Sequence, residues 1–185
     1  AHFTAVSATL GDVLLAANVV LMHFFNLASY GLDGFAHAVE ALGGYAYGKR
    51  DKAAFKAAVR ASCLCSVGVA GVYTLVFWLG GDLLVGLMTD IDGVRETAGV
   101  YLWWLIVMPI VAVWSFLLDG VFVGATRSAE MRDCMLVSGS AYLVTVWLGM
   151  PSFGNHGLWL ALTVFVIVRA LVLWWWYPKL LQSLD

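Results

Sequence analysis

The chain has 185 residues, of which 62% are hydrophobic and only 12% charged, with a formal net charge of −2. Soluble domains carry about 25% charged residues, so this composition, with a mean hydropathy of +0.88, excludes a water-soluble domain and a disordered segment alike and belongs in a bilayer. Ten scattered Lys and Arg form no basic stripe able to neutralise several phosphates, which excludes a nucleic-acid partner.

Residues 1–10 are apolar but far shorter than the roughly 20 needed to cross hydrocarbon. They open without an initiator Met, a basic segment or a signal-type cleavage site, and read as the end of a truncated helix, spanning about 1–10. Longer apolar stretches follow at 13–47 (Val13 to Gly34, extended to Tyr47), 57–79, 98–123, 134–153 and 157–177. Hydrocarbon offers no water to satisfy backbone groups, so each stretch should be helical; the ten-residue alternation of an outer-membrane barrel is absent. The expected fold class is all-α: a polytopic membrane protein, a helical bundle of five full transmembrane helices plus a truncated sixth.

Cys63, Cys65 and Cys134 all fall inside apolar stretches, and their odd number implies no disulfide framework. Cys63 and Cys65 are two apart, so a helix turns them to different sides and they read as packing residues.

Basic residues orient the bundle. The first connector holds Lys49, Arg50, Lys52, Lys56 and Arg60, the third Arg127 and Arg132, and the tail Lys179. The second has Asp90, Asp92 and Glu96 against Arg95, and the fourth has no Lys or Arg. The excess of Lys and Arg on cytoplasmic loops places connectors one and three and the C-terminus in the cytoplasm. Aromatic belts agree: Trp78, Trp103, Trp104, Trp147 and Trp159 fall at outer ends, and Trp174, Trp175, Trp176 and Tyr177 at the inner end of the last span. Trp114 sits mid-span, open to packing or cavity lining.

Charge inside a span costs roughly 2.5 to 3.5 kcal/mol at a helix centre, which makes each such residue a functional candidate. Asp119 follows Pro109 by ten residues; proline frees a carbonyl and kinks a helix, and such breaks tend to line cavities. The functional reading of Asp119 is a cation or proton site, and the plain one is a bond to a neighbouring helix or to Arg127 or Arg132. Asp33, His37 and Glu40 lie at i, i+4 and i+7 on one face. That row suits proton relay, since imidazole changes charge near neutral pH, or metal ligation; the plain reading is a polar face leaving the membrane. No metal site is expected. Asp33 lies 20 residues beyond Val13 and Asp119 20 beyond Gly99, about 30 Å along a helix, near the inner interface.

Arg169 is a basic residue inside an apolar span, eight residues before Tyr177. It either snorkels to the interface or pairs with Asp119 or Asp33. Asn18, His23 and Asn26 give the first full span a polar stripe, read as helix-to-helix hydrogen bonding. Gly68 and Gly71 read as sites of close helix contact. Ser138-Gly139-Ser140 with His156 lacks a G-x-S-x-G elbow, so no enzyme is expected.

Two runs resemble a known family. Leu32-Asp33-Gly34-Phe35-Ala36-His37-Ala38-Val39-Glu40-Ala41-Leu42-Gly43-Gly44, ending at Gly48 before a basic connector, is similar to the second helix of the C-terminal half of multidrug and toxic compound extrusion (MATE) transporters, in their DNA-damage-inducible (DinF) branch. Pro109, then Leu118-Asp119-Gly120-Val121-Phe122-Val123-Gly124-Ala125-Thr126-Arg127, then Met131-Arg132, resembles the fourth helix of that half. The resemblance covers essentially the whole chain. It implies that residues 1–185 are the C-terminal lobe of a two-lobe transporter of about twelve helices, resident in the cell (inner) membrane. Such transporters export cationic or amphipathic drugs and metabolites in exchange for protons or sodium, with no cofactor beyond the coupling ion. The implied partners are the lipid bilayer, a missing six-helix N-terminal lobe or a second copy, and a small cationic or amphipathic substrate. Asp119 matches a position contributing to cation coupling in sodium-linked relatives, whereas the proton-coupled relatives carry their key carboxylates in the other lobe. The alternative function is a membrane assembly or binding module without transport activity of its own. A membrane metalloenzyme built on Asp33, His37 and Glu40 is a third reading, and it predicts stoichiometric metal.

Overall fold

A computed structural model of the chain describes residues 2–184. It contains α1 (His2–Ala8), α2 (Asp12–Gly48), α3 (Lys52–Met88), α4 (Asp92–Gly124), α5 (Ser128–Phe153) and α6 (Asn155–Gln182), with no strand among the described residues. The helices α2 to α6 are each long and apolar enough to cross a membrane, so the all-helical bundle read from the sequence is the fold observed.

Every long helix outruns its apolar core. The largest difference is in α3, which was expected to stop near Leu79 and continues through Gly80-Gly81-Asp82 to Met88. Glycine costs a helix interior only about 1 kcal/mol relative to alanine, and the end of α3 is held from outside. Arg95 of α4 donates from Nη2 to the Gly86 carbonyl at 2.8 Å and from Nε to the Thr89 carbonyl at 2.7 Å. Carbonyls orphaned at the end of a helix thereby gain a cationic donor where the helix dipole favours one.

The hub is α4, which packs on α2, α3, α5 and α6. Its crossing with α2 is a contact of backbones. A Cβ at Gly120 would strike the Ala36 carbonyl, one at Gly124 would lie 2.5 Å from the Glu40 carbonyl oxygen, and one at Gly44 2.7 Å from that of Gly124. Gly120-x-x-x-Gly124 is thus a small-residue crossing of the kind that lets membrane helices approach closely. Gly68 and Gly71 do not serve this purpose, because nothing lies within 4 Å of a Cβ built on either; Gly71 instead lines a cavity between α3 and α4.

The turns after α2 and α4 are built alike. Asp51 N–H reaches back to the Ala46 carbonyl and Arg127 N–H to the Phe122 carbonyl, closing Schellman-type ends whose left-handed position usually holds glycine. Here it holds Arg50 (φ 55) and Thr126 (φ 56).

Trp159 corrects the expected belt. It is fully buried in the core with Leu21, Leu105 and Met108 rather than placed at the outer interface, because its indole N–H has a buried acceptor. Trp78, Trp103, Trp147, Trp174 and Trp175 are exposed, as membrane-facing aromatics should be.

Candidate coupling site between α2, α4 and α6

Asp119 and Arg169 meet in a two-pronged ion pair. Arg169 Nε–H donates to Oδ1 at 3.0 Å and Nη2 lies 2.6 Å from Oδ2, the fork geometry that makes arginine–carboxylate pairs strong. The two side chains are 15% and 21% exposed, respectively. Neither of the other basic residues considered for Asp119 is its partner: Arg127 pairs with Glu130 and Arg132 with Asp133. Arg169 is fixed further by its own carbonyl, which accepts the Cys134 thiol at 3.4 Å.

Asp33 is half-buried on α2, within electrostatic reach of Asp119. The glycine crossing explains this proximity, since Gly120, next to Asp119, lies against Ala36, one turn from Asp33. Of the two carboxylates, Asp119 is the one bonded to the Arg169 guanidinium.

His37 and Glu40 divide from Asp33. The His37 Nδ1 and a Glu40 carboxylate oxygen are 3.2 Å apart, and the His37 side chain is 77% exposed. Both line an open cavity of about 480 Å³ with Val123, Gly124 and Thr126. Among the described residues no trio of His, Cys, Asp or Glu is placed to hold a metal.

Pro109 is buried within α4. One turn before it, Thr74 of α3 donates to the Ile106 carbonyl at 3.0 Å, a side-chain donor in the stretch where proline removes a backbone one. Beyond it, an apolar cavity of about 520 Å³ opens between Ile110, Trp114 and Leu118 of α4 and Ile167, Leu171 and Trp174 of α6. Trp114 is thus a cavity wall. Leu118 and Ala170 of the lining immediately adjoin Asp119 and Arg169, so the site sets an ion pair beside an apolar chamber.

A second polar cluster was only partly foreseen. Asn18 donates from Nδ2 to Ser7 Oγ and Asn155 Oδ1, both at 2.6 Å, while its Oδ1 accepts from Asn155 Nδ2 at 3.0 Å and Trp159 Nε1 at 2.9 Å. All four of its hydrogen-bonding positions are used. Ser7, Asn155 and Trp159 carried no signal of their own in the sequence; a lone Asn in an apolar span was the available clue. Ser138 and His156 take separate partners, Ser138 donating to the Cys134 carbonyl and His156 accepting from Trp104.

The MatE family profile matches residues 2–150. The chain belongs to the MATE family. It is 44% identical over 170 residues to the DNA damage-inducible protein F of Escherichia coli, covering 92% of this chain and 37% of that protein. It is 28% identical over 187 residues to a probable multidrug resistance protein NorM of Rhizobium meliloti, covering 96% of this chain and 40% of the relative. The chain thus spans about two fifths of the length of these curated relatives. The bent-form crystal structure of the Vibrio cholerae MATE transporter VcmN superposes with a TM-score of 0.83 over 98% of this chain and 42% of that one, at 22% identity, a likeness of fold. MATE proteins are transporters, and the five long apolar helices described above make this chain a multi-pass bundle.

Proposed function

We propose that this chain is the C-terminal lobe of a secondary antiporter that exports cationic or amphipathic drugs or metabolites in exchange for protons or sodium. It works in the inner membrane against a six-helix N-terminal lobe, with its own C-terminus in the cytoplasm. Family membership supports transport, and the observation that carries the coupling assignment is the charge count at the crossing. Asp119 is bonded to Arg169 and Asp33 adds a second carboxylate within its electrostatic reach, which leaves the cluster short of one positive charge in a region where unpaired charge is costly. A proton or a sodium ion supplies it. An ion arriving at Asp119 competes with Arg169 for the same carboxylate oxygens, so binding loosens the link between α4 and α6. Rocking of the two lobes about a central cavity follows from that change. The apolar chamber beside Trp114 suits the body of an amphipathic compound, since such sites are walled mainly by aromatic and aliphatic groups.

The test is efflux of a fluorescent cationic dye from cells expressing this chain alone, beside cells expressing it joined to a six-helix N-terminal lobe. Activity only in the joined form supports the lobe reading; inserted protein that exports no dye in either form overturns it. In the joined form, Asp119→Asn should abolish ion-dependent efflux while the protein still inserts. Unchanged ion dependence would remove Asp119 from the coupling site.

A further inference from the structure

The half of α2 between Asp12 and Tyr30 carries one titratable side chain, His23. It lies eleven residues past Asp12, about 16 Å along the helix. Its Nδ1 is 2.8 Å from the Val19 carbonyl oxygen. A carbonyl can only accept, so Nδ1 carries the proton and the neutral ring presents a bare lone pair on Nε2.

His23 lines a cavity of about 370 Å³ between α1 and α2, with Thr4, Ser7, Asn18, Met22 and Asn26 among its walls. Ser7 and Asn18 are bound in the network with α6, which leaves the Thr4 hydroxyl, the Asn26 amide and the His23 ring as the polar groups available to a guest. No charged side chain lines the cavity, and no titratable group of α1, α3, α4 or α6, the helices that touch α2, enters it; His156 of α6 is bonded to Trp104. His2 of α1 is bonded to Tyr142 of α5, Tyr73 of α3 stacks on Phe77, Arg95 of α4 is bound to Gly86, Thr89 and Asp90, and Asp119 is bound to Arg169. The cavity is therefore neutral, polar on one wall and apolar elsewhere, with one group able to change its charge.

We propose that this cavity binds the N–H-bearing head of an amine cation, with His23 Nε2 accepting the hydrogen bond and Thr4 and Asn26 completing the wall, and that protonation of His23 expels it. This rests on the antiporter reading and deepens it. The neutral ring accepts an N–H from the cation. A proton on Nε2 turns the acceptor into a donor and places like charge against like, so the hydrogen bond breaks and the cation leaves. One proton and one cation thus compete for a single lone pair. Since His23 lies toward the end of α2 assigned to the outer face, acid outside favours release outward.

Two permanently charged probes separate the parts of the proposal. Ethidium carries aromatic N–H groups; tetraphenylphosphonium has the same charge and none. Binding is measured by fluorescence polarisation for ethidium and by radioligand for tetraphenylphosphonium, with the full-length two-lobe transporter in lipid nanodiscs, beside dye efflux in cells. Lowering the pH from 7.5 to 5.5 should weaken ethidium binding about tenfold, because a protonated ring repels the cation. His23→Gln, which can accept but not titrate, should bind ethidium at pH 7.5 and lose most of that pH dependence. His23→Ala should weaken ethidium about tenfold at pH 7.5 and leave tetraphenylphosphonium unchanged. If His23→Gln follows the wild-type pH profile, or His23→Ala binds ethidium normally, the proposal is overturned while the antiporter reading stands. A wild-type protein that neither binds nor exports either probe overturns both. Asn26→Leu, remote from the α6 network, gives a second variant: it should weaken ethidium more than tetraphenylphosphonium, and equal effects on both count against the site.

Discussion

The two polar clusters of the bundle lie about 21 Å apart along α6, from Asn155 to Arg169, and they solve the same problem in opposite ways. The cluster on Asn18 is neutral, and every donor and acceptor of that amide is used. The cluster on Asp119 is ionic, with Asp119 paired to Arg169 and Asp33 as a second carboxylate nearby. Both put polar atoms where lipid surrounds the protein, but only the second is left with a charge to fill. A closed network fastens helices; an unbalanced one responds to ions. On the antiporter reading proposed above, that contrast, rather than polarity in a span as such, separates a structural residue from a working one.

The contrast breaks most sharply at Arg169. Arg169→Leu strands the Asp119 carboxylate, and loss of one member of a buried pair typically costs about 3 to 5 kcal/mol. The double variant Arg169→Leu/Asp119→Asn should recover most of that in thermal unfolding, while remaining unable to couple ions. A double variant no more stable than the single one would show that Arg169 acts through something besides Asp119.

Asn18→Ala comes next. It orphans Ser7, Asn155 and Trp159 together, and with each interhelical hydrogen bond in a membrane averaging about 0.6 kcal/mol and reaching about 1.7, a loss of roughly 2 to 4 kcal/mol is expected. The ion dependence of any transport that survives should not move. A shifted ion dependence would mean that the two clusters are coupled, and the comparison above would fail.

The smallest effect is expected at Thr126, a β-branched residue in the left-handed region. Thr126→Gly relieves a penalty of roughly 1 to 2 kcal/mol for a residue bearing Cβ, offset in part by glycine's greater freedom when unfolded. A small rise in melting temperature is expected, with no effect on either cluster.

Much of this architecture is written in hydropathy. Span number, helix type, the exposed tryptophans and Asn18 as a helix-to-helix bonder all follow from the environment that each segment must tolerate. What hydropathy cannot encode is direction. In a soluble helix the polar face reports which side is outside, but lipid is as apolar as the bundle interior, so a stretch such as Cys134 to Phe153 carries no mark of which side meets protein. Trp159 was assigned to a belt for that reason, and Gly68 and Gly71 to a contact. Gly120-x-x-x-Gly124 makes the close crossing instead, and its partner, the backbone of α2, is set by packing. At the candidate site, Asp119, Asp33 and Arg169 stood out by cost alone. Their pairing was one option among several, because the rotation of α6 relative to α4 is a property of packing. Arg95 was read for its charge in a connector, and its bonds to α3 depend on the length of two helices that hydropathy ends too soon.

The reach of the Asn18 network also bears on how the protein is made. Its Asn155 partner lies 137 residues further along the chain, and ribosomes add about 5 to 20 residues per second, so α2 waits roughly 7 to 27 s in the membrane before that bond can form. Through that interval a buried amide must be sheltered by lipid headgroups, by water near the membrane surface or by the insertion machinery. Closure of α6 onto Asn18 is then a late locking step in biogenesis, and a ribosome stalled before Asn155 should leave a set of inserted helices that quality-control proteases recognise by that exposed amide.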